Sequence, residues 1–213
     1  MSPAADTRHR REKERGGHEF DTAAAIIDEA RICHVGIEHD GQVYVLPMAC
    51  ARDGQTLLLH GSVASRLMKG LAKGLHCCAT ITHLDGLVYA RSAFHSSMNY
   101  RSVMIFGQAR LVEDADAKSR GLDRLVEQLL PGRLAELRPS TSKELKATHL
   151  LALPIEVFST KVRTGPPEDP KTDLDQPVWA GELPLETRAG KAIDAPDLAV
   201  DAAVPRYVSG LSR

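Results

Sequence analysis

The chain has 213 residues, which suits one hydrophobic core with an extension, because cores form in units of ~100–200 residues. Hydrophobic residues make up 43% and charged residues 26%, a balance that excludes disorder throughout, and aromatic residues are few at 4%. The net charge of -1 lacks the basic surplus that neutralises nucleic-acid phosphates, and no apolar run approaches the ~20 residues that span a bilayer, so neither nucleic acid nor membrane is an expected partner.

Residues 1–19 alternate Arg8, Arg10, Arg11, Lys13 and Arg15 with Asp6, Glu12, Glu14 and Glu19 and offer almost nothing to bury, so they read as a flexible solvated arm. Charge where a signal peptide would be apolar makes the cytoplasm the expected location. From Asp21, read as an N-cap, Ala23, Ile26, Ile27 and Ala30 fall on one face of a short helix. The period then changes to two over 32–38, 42–51 and 55–61, with turn signals at Asp40-Gly41 and Asp53-Gly54, which predicts an antiparallel meander.

Val63, Leu67, Met68 and Leu71 form one stripe that predicts a helix over 63–71, closed by Gly74 in a left-handed conformation. Strand character returns at 77–83 and 86–90, with Asp85-Gly86 as a hairpin turn, and again at 101–112. A longer helix is expected from Asp116 to Leu130, stopped by Pro131-Gly132, and Thr141 with Glu144 signals a second, brief one. One final strand is expected over 149–162, with Pro154 at an edge or bulge. Seven of the twelve prolines and the single tryptophan, Trp179, lie in 165–213, which reads as an extension wrapping over a surface.

The expected organisation is therefore an arm over 1–19, a domain over 20–164 and a Pro-rich extension over 165–213. Many short strands without regular strand-helix alternation predict a mainly β fold with α (α+β), an antiparallel barrel of about six strands with flanking helices. Cys33, Cys50, Cys77 and Cys78 all lie in apolar strand-like stretches and read as reduced core thiols; no CxxC zinc site is present and no metal is expected.

The stretch His60-Gly61-Ser62-Val63-Ala64-Ser65-Arg66 joins a strand to a helix start. Hydroxyls and a guanidinium beside unpaired backbone N–H groups suit an anion, most naturally a phosphate, so Ser62, Ser65 and Arg66 are the candidate phosphate ligands. The plainer reading is that Ser62 caps the helix and Arg66 decorates its surface. His83-Leu84-Asp85 does not make a hydrolase triad, because no Gly-x-Ser-x-Gly elbow exists.

HGSVASRLMKGL, followed by THLDGLVYARSAFHSSMNYRSVMIFG, resembles the Nim-type (nitroimidazole-resistance) branch of the pyridoxamine 5'-phosphate oxidase-like flavoproteins. The resemblance runs from about Arg8 to the WAG at 179–181. It implies a six-stranded split barrel that forms a homodimer with FMN in two inter-subunit clefts. In relatives a Ser-Arg pair after the third strand holds the FMN phosphate, and Ser65-Arg66 matches it. Leu46, Pro47 and Met48 take the place of the strand that offers backbone groups to the flavin, and Thr82 that of a contact to the ribityl chain or phosphate. Asn99, Tyr100 and Arg101 would come from the partner subunit, although NYRS also reads as a polar strand start.

The resemblance makes His60 the candidate catalytic histidine beside the flavin, against the alternative, from its place at the end of an apolar strand, of a core histidine satisfied by hydrogen bonds. Trp179 is expected as an interface anchor or a lid over the flavin. VWAGELPLETRAG does not reproduce the arginine and histidine set that grips substrate phosphate in the oxidase itself. The expected function is reduction of small acceptors, nitroaromatics or quinones, by a flavin enzyme. The alternatives are a non-enzymatic flavin carrier or sensor, a deazaflavin protein, or a split barrel that binds haem.

Overall fold

The computed structural model describes residues 6–8, 12–198 and 202–210, so Arg10, Arg11 and part of the expected arm lie outside the described residues. Gly16–Gly17 (β1) pairs with the strand Val157–Arg163 (β9), so the arm region contributes a short sheet segment. Helix α1 (Phe20–Glu29) buries Ala23, Ala24, Ile26 and Ile27, and Glu19 holds the N-cap position expected for Asp21, which sits instead in the first turn.

The meander forms as expected: Ile32–His39 (β2), Gln42–Asp53 (β3) and Thr56–Ser62 (β4) pair antiparallel in sequence order. Asp40 and Gly41 both take positive φ, 53° and 76°, in a two-residue loop between His39 and Gln42, which is why an Asp-Gly pair stands there. The next helix, α2 (Arg66–Ala72), starts later than 63 because Ser65 caps it, accepting a hydrogen bond from the Met68 amide; Gly74 has φ 84° as expected.

Two expected features are corrected. His76–Tyr89 is one continuous strand (β5) with a bulge between Leu84 and Gly86, so Asp85-Gly86 is not a hairpin turn. The Asp85 carboxylate accepts from Arg101, and Gly86 lets strand Gly181–Pro184 (β10) approach, since a Cβ there would stand 3.1 Å from the Leu183 carbonyl oxygen. The single strand expected over 149–162 is two, Thr148–Pro154 (β8) and β9, separated at Ile155 and Glu156. Pro154 ends β8 against Thr56, and the chain then crosses to the other part of the sheet.

Ser97–Gln108 (β6) passes through Ala109 into Arg110–Leu111 (β7). The strand order is β1-β9-β6-β5-β2-β3-β4-β8-β7, with β10 paired to β5. Because β6 runs into β7 and β8 runs on to β9, both ends of this order are joined by the chain and the sheet curls into a split barrel. Among the described residues it has ten strands, more than the six expected, the excess being mainly short pieces such as β1, β7 and β10.

The barrel core is filled by Val35, Leu57, Leu59, Ile81, Val103, Ile105, Leu151 and Leu153, and is plugged by Ile26 and Ile27 from α1 and by Leu67, Met68 and Leu71 from α2. Cys33, Cys50 and Cys77 are buried in it as free thiols, with Cys78 half-buried. Burial pushes the Cys77 thiol up to about 11, which keeps it protonated and unreactive. A second small cluster, Ala51, Leu58, Leu125 and Leu150, forms where helix α3 (Ala115–Leu129) packs on the opposite face of β4 and β8. Asp114 caps α3, and Gly132, φ 83°, follows its end.

Helix α4 (Ser142–Ala147) has a complete capping box: Thr141 accepts from the Glu144 amide and Glu144 accepts from the Thr141 amide. The Arg138 guanidinium and these Thr141 bonds hold the Glu144 carboxyl down at about 2. A carboxyl lowered on folding contributes stability above its unfolded value of 4.5, and the contribution fades as pH falls toward about 2. A melting-temperature difference between wild type and Glu144→Gln is therefore expected above about pH 4.5 and absent near pH 2; a difference independent of pH would contradict it.

In the extension, β10 adds to β5, and Tyr207 on α5 (Arg206–Ser209) donates to Glu136 at 2.6 Å and accepts from Arg133 at 3.1 Å.

Candidate functional site

Strand β3 changes partners midway. Over residues 42–49 it pairs with β2, while its pairing with β4 is confined to Cys50 through Asp53. The split leaves the other edge of 42–49, which includes Leu46, Pro47 and Met48, without a strand partner among the described residues. Opposite the gap stand the end of β4 and the start of α2.

In that gap Arg66 donates from Nη1 to the Tyr44 hydroxyl at 3.3 Å, with its guanidinium carbon 5.4 Å from the Tyr44 ring centroid. No carboxylate pairs with Arg66 among the described residues, so an exposed cation with most of its N–H fork uncommitted faces the split. Ser62 Oγ accepts from the Ala64 amide at 3.2 Å and Ser65 Oγ from the Met68 amide at 3.4 Å. Both hydroxyls act there as acceptors, so each O–H remains available to donate to an anion. The capping role thus leaves the O–H of each serine uncommitted to the bonds it makes as a cap.

The other sequence-selected residues are dispersed. Thr82 and Tyr100 lie on the outer face of the sheet, away from the barrel core, Thr82 opposite Ser102 and Tyr100 opposite Leu84. Arg101 faces the core side, and its guanidinium is shared between Asp85 and Glu29, whose hydrogen bonds raise its pKa further. Asn99 is buried, donating to Glu182 at 2.6 Å and accepting from Arg163, which also donates to the Gly165 and Pro166 carbonyls. Asn99 therefore clasps β6 to β9 and β10. Trp179, 67% exposed, leans on Tyr89 with ring centroids 5.5 Å apart.

His60 is not in the Arg66 gap. Its neighbour Gly61 faces α2, where a Cβ would meet Met68 at 2.8 Å, so the His60 ring projects from the opposite face of β4 toward α3. It lines a cavity of about 240 Å3 with Leu122, Leu125, Val126, Leu129 and Leu145. Its Nδ1 is buried without a hydrogen-bond partner among the described residues, and burial lowers the ring's pKa below the usual imidazole value.

The family model of pyridoxamine 5'-phosphate oxidase matches residues 19–162. The chain belongs to this family. It is also similar, at 38% identity and TM-score 0.88, to the FAD and haem binding protein from Mycobacterium smegmatis, with 93% of this chain and 97% of that one covered. The flavocytochrome Anf3 from Azotobacter vinelandii is 36% identical with TM-score 0.90, covering 99% of both chains. A proposed 5-nitroimidazole antibiotic resistance protein from Bacteroides thetaiotaomicron shares the fold at 22% identity and TM-score 0.59, over 69% of this chain and 86% of that one. A comparison with curated proteins returns no match. The split barrel expected from the sequence is thus both seen in the structure and shared with the family. Among the described residues no helix is long and apolar enough to cross a membrane.

Proposed function

We propose that the chain is a flavin-binding redox protein that works as a homodimer, the flavin phosphate held by Ser62, Ser65 and Arg66. The observation that carries this is the uncommitted Arg66 fork, next in the chain to Ser65 and four residues after Ser62, across a gap from the unpaired edge of β3. That edge, at Leu46, Pro47 and Met48, suits the polar rim of an isoalloxazine. FAD is favoured over the FMN expected from sequence, because the full-length relative from Mycobacterium smegmatis bears FAD in its name.

The dimer is proposed through the outer sheet face, where Val43 and Val45 are 64% and 62% exposed and Leu84, Met98 and Met104 are also uncovered. Thr82 and Tyr100 lie on that face, which supports a contact from them to a partner's flavin. When bound, a flavin supplies hydride and electron transfer. The chain's part is to grip the phosphate, orient the ring and exclude water. No Gly-x-Gly-x-x-Gly follows a strand, so a nicotinamide donor would dock transiently, and nitroaromatics or quinones are the proposed acceptors. Steady-state NAD(P)H oxidation by the holoprotein with these acceptors tests the enzyme reading; absence of turnover favours the carrier or sensor.

A second reading adds haem to the flavin. It is favoured by the names of the two full-length relatives and by an orphaned imidazole on an apolar cavity, a donor set an iron porphyrin accepts.

A further inference from the structure

We propose that His60 is the axial ligand of a haem seated between β4, α3 and α4, on the face of the strand away from the Arg66 gap. The inference rests on the haem-containing reading above and assigns it a residue and a compartment.

Strand β4 is covered on both faces. Leu57 and Leu59 enter the barrel core, while Leu58 and His60 face α3. A polar ring on the second face meets leucines and a valine of α3 and Leu145 of α4, an apolar wall of the kind that shields a porphyrin. Among the described residues Nδ1 has no partner within hydrogen-bond distance, although buried polar atoms nearly always find one. Ser140, Glu144 and Thr148 form the polar rim of the cavity. At about 240 Å3 it encloses only part of a tetrapyrrole, leaving an edge for propionates to reach water.

The other described histidines are less suited. His83 is bonded to the Ile26 carbonyl at 2.9 Å, His95 to the Ser92 hydroxyl at 2.7 Å, and His18 to the Thr7 carbonyl at 3.2 Å. His39 stands beside Asp40 at 3.5 Å, and His34 and His76 are exposed on their strands. His149 pairs with Gly61 and projects to the α2 side.

Full-length protein titrated with hemin tests the assignment, reading the Soret band, the electron paramagnetic resonance signal and the flavin content of the same sample. Wild type is expected to bind hemin with a nitrogen-ligated signal. His60→Ala should lose affinity by at least about ten-fold, read directly from the titration, with flavin content unchanged, which also reports that it folds. His60→Met should keep binding but shift the band and raise the midpoint potential, as a thioether ligand does. An unaltered Soret band and affinity in His60→Ala, or an unshifted band in His60→Met, overturns the assignment. Wild type that refuses hemin while holding flavin overturns it together with the haem reading and leaves the flavin reading standing.

Discussion

Arg66→Ala is expected to weaken flavin binding by about 10- to 100-fold, because a charge-assisted hydrogen bond to phosphate contributes about 1.5–3 kcal/mol and each 1.4 kcal/mol is tenfold. The substitution should leave the fold intact. Arg66 is exposed at the first turn of α2, has no carboxylate partner among the described residues, and its contact is the Tyr44 ring and hydroxyl. Tyr44→Phe removes only the hydroxyl that orients the guanidinium, so its effect should be a few-fold at most. Fluorescence titration of apoprotein with FMN and with FAD reads both variants. Equal affinity for wild type and Arg66→Ala would remove the phosphate site from this gap.

The largest stability effect is expected at Leu151. It is fully buried in the barrel core and lies opposite Leu59 on β4 and Leu111 on β7, the strand into which β6 runs. Leu151→Ala should lower stability by about 2–5 kcal/mol, the transfer and cavity cost of losing a buried leucine, and melting temperature by about 4–20 °C for a domain of this size. Val45→Ala, by contrast, alters an exposed outer-face position and should change the stability of a single chain by no more than about 0.5 kcal/mol. Because that face is the proposed dimer interface, Val45→Ala should instead shift the dimer toward monomers in sedimentation. A large thermal loss at Val45 with none at Leu151 would reverse the assignment of inner and outer faces.

The parts of the fold legible in the sequence are those governed by local chemistry. Asp40-Gly41, the Thr141 and Glu144 capping box and Pro131-Gly132 each sit where positive φ or an orphan backbone donor requires them. What was not legible depends on partners distant in the chain. Asp85-Gly86 has the composition of a turn, but Arg101 recruits the carboxylate and β10 needs the glycine, so the strand runs through. The break after Pro154 follows from β8 and β9 pairing with different strands, which alternation along one segment does not encode.

The same distinction holds for the candidate site. Ser62, Ser65 and Arg66 are neighbours in sequence, and the serine caps at this strand-helix junction are legible there; the Tyr44 contact of Arg66 is not, because it spans 22 residues. Asn99 and Arg101 looked available, yet Glu182, Arg163, Glu29 and Asp85 engage them from other elements. His60 was placed beside the flavin by resemblance alone. Both faces of β4 are apolar, so its period-two pattern carries no sign of which face meets which layer.

Native mass spectrometry of the purified full-length chain, followed by identification of the released small molecules, tests the central claim most directly. A mass of two chains carrying two flavin nucleotides is expected, with the flavins lost in Arg66→Ala. A single chain that holds no flavin, even after incubation with excess FMN and FAD, would contradict it.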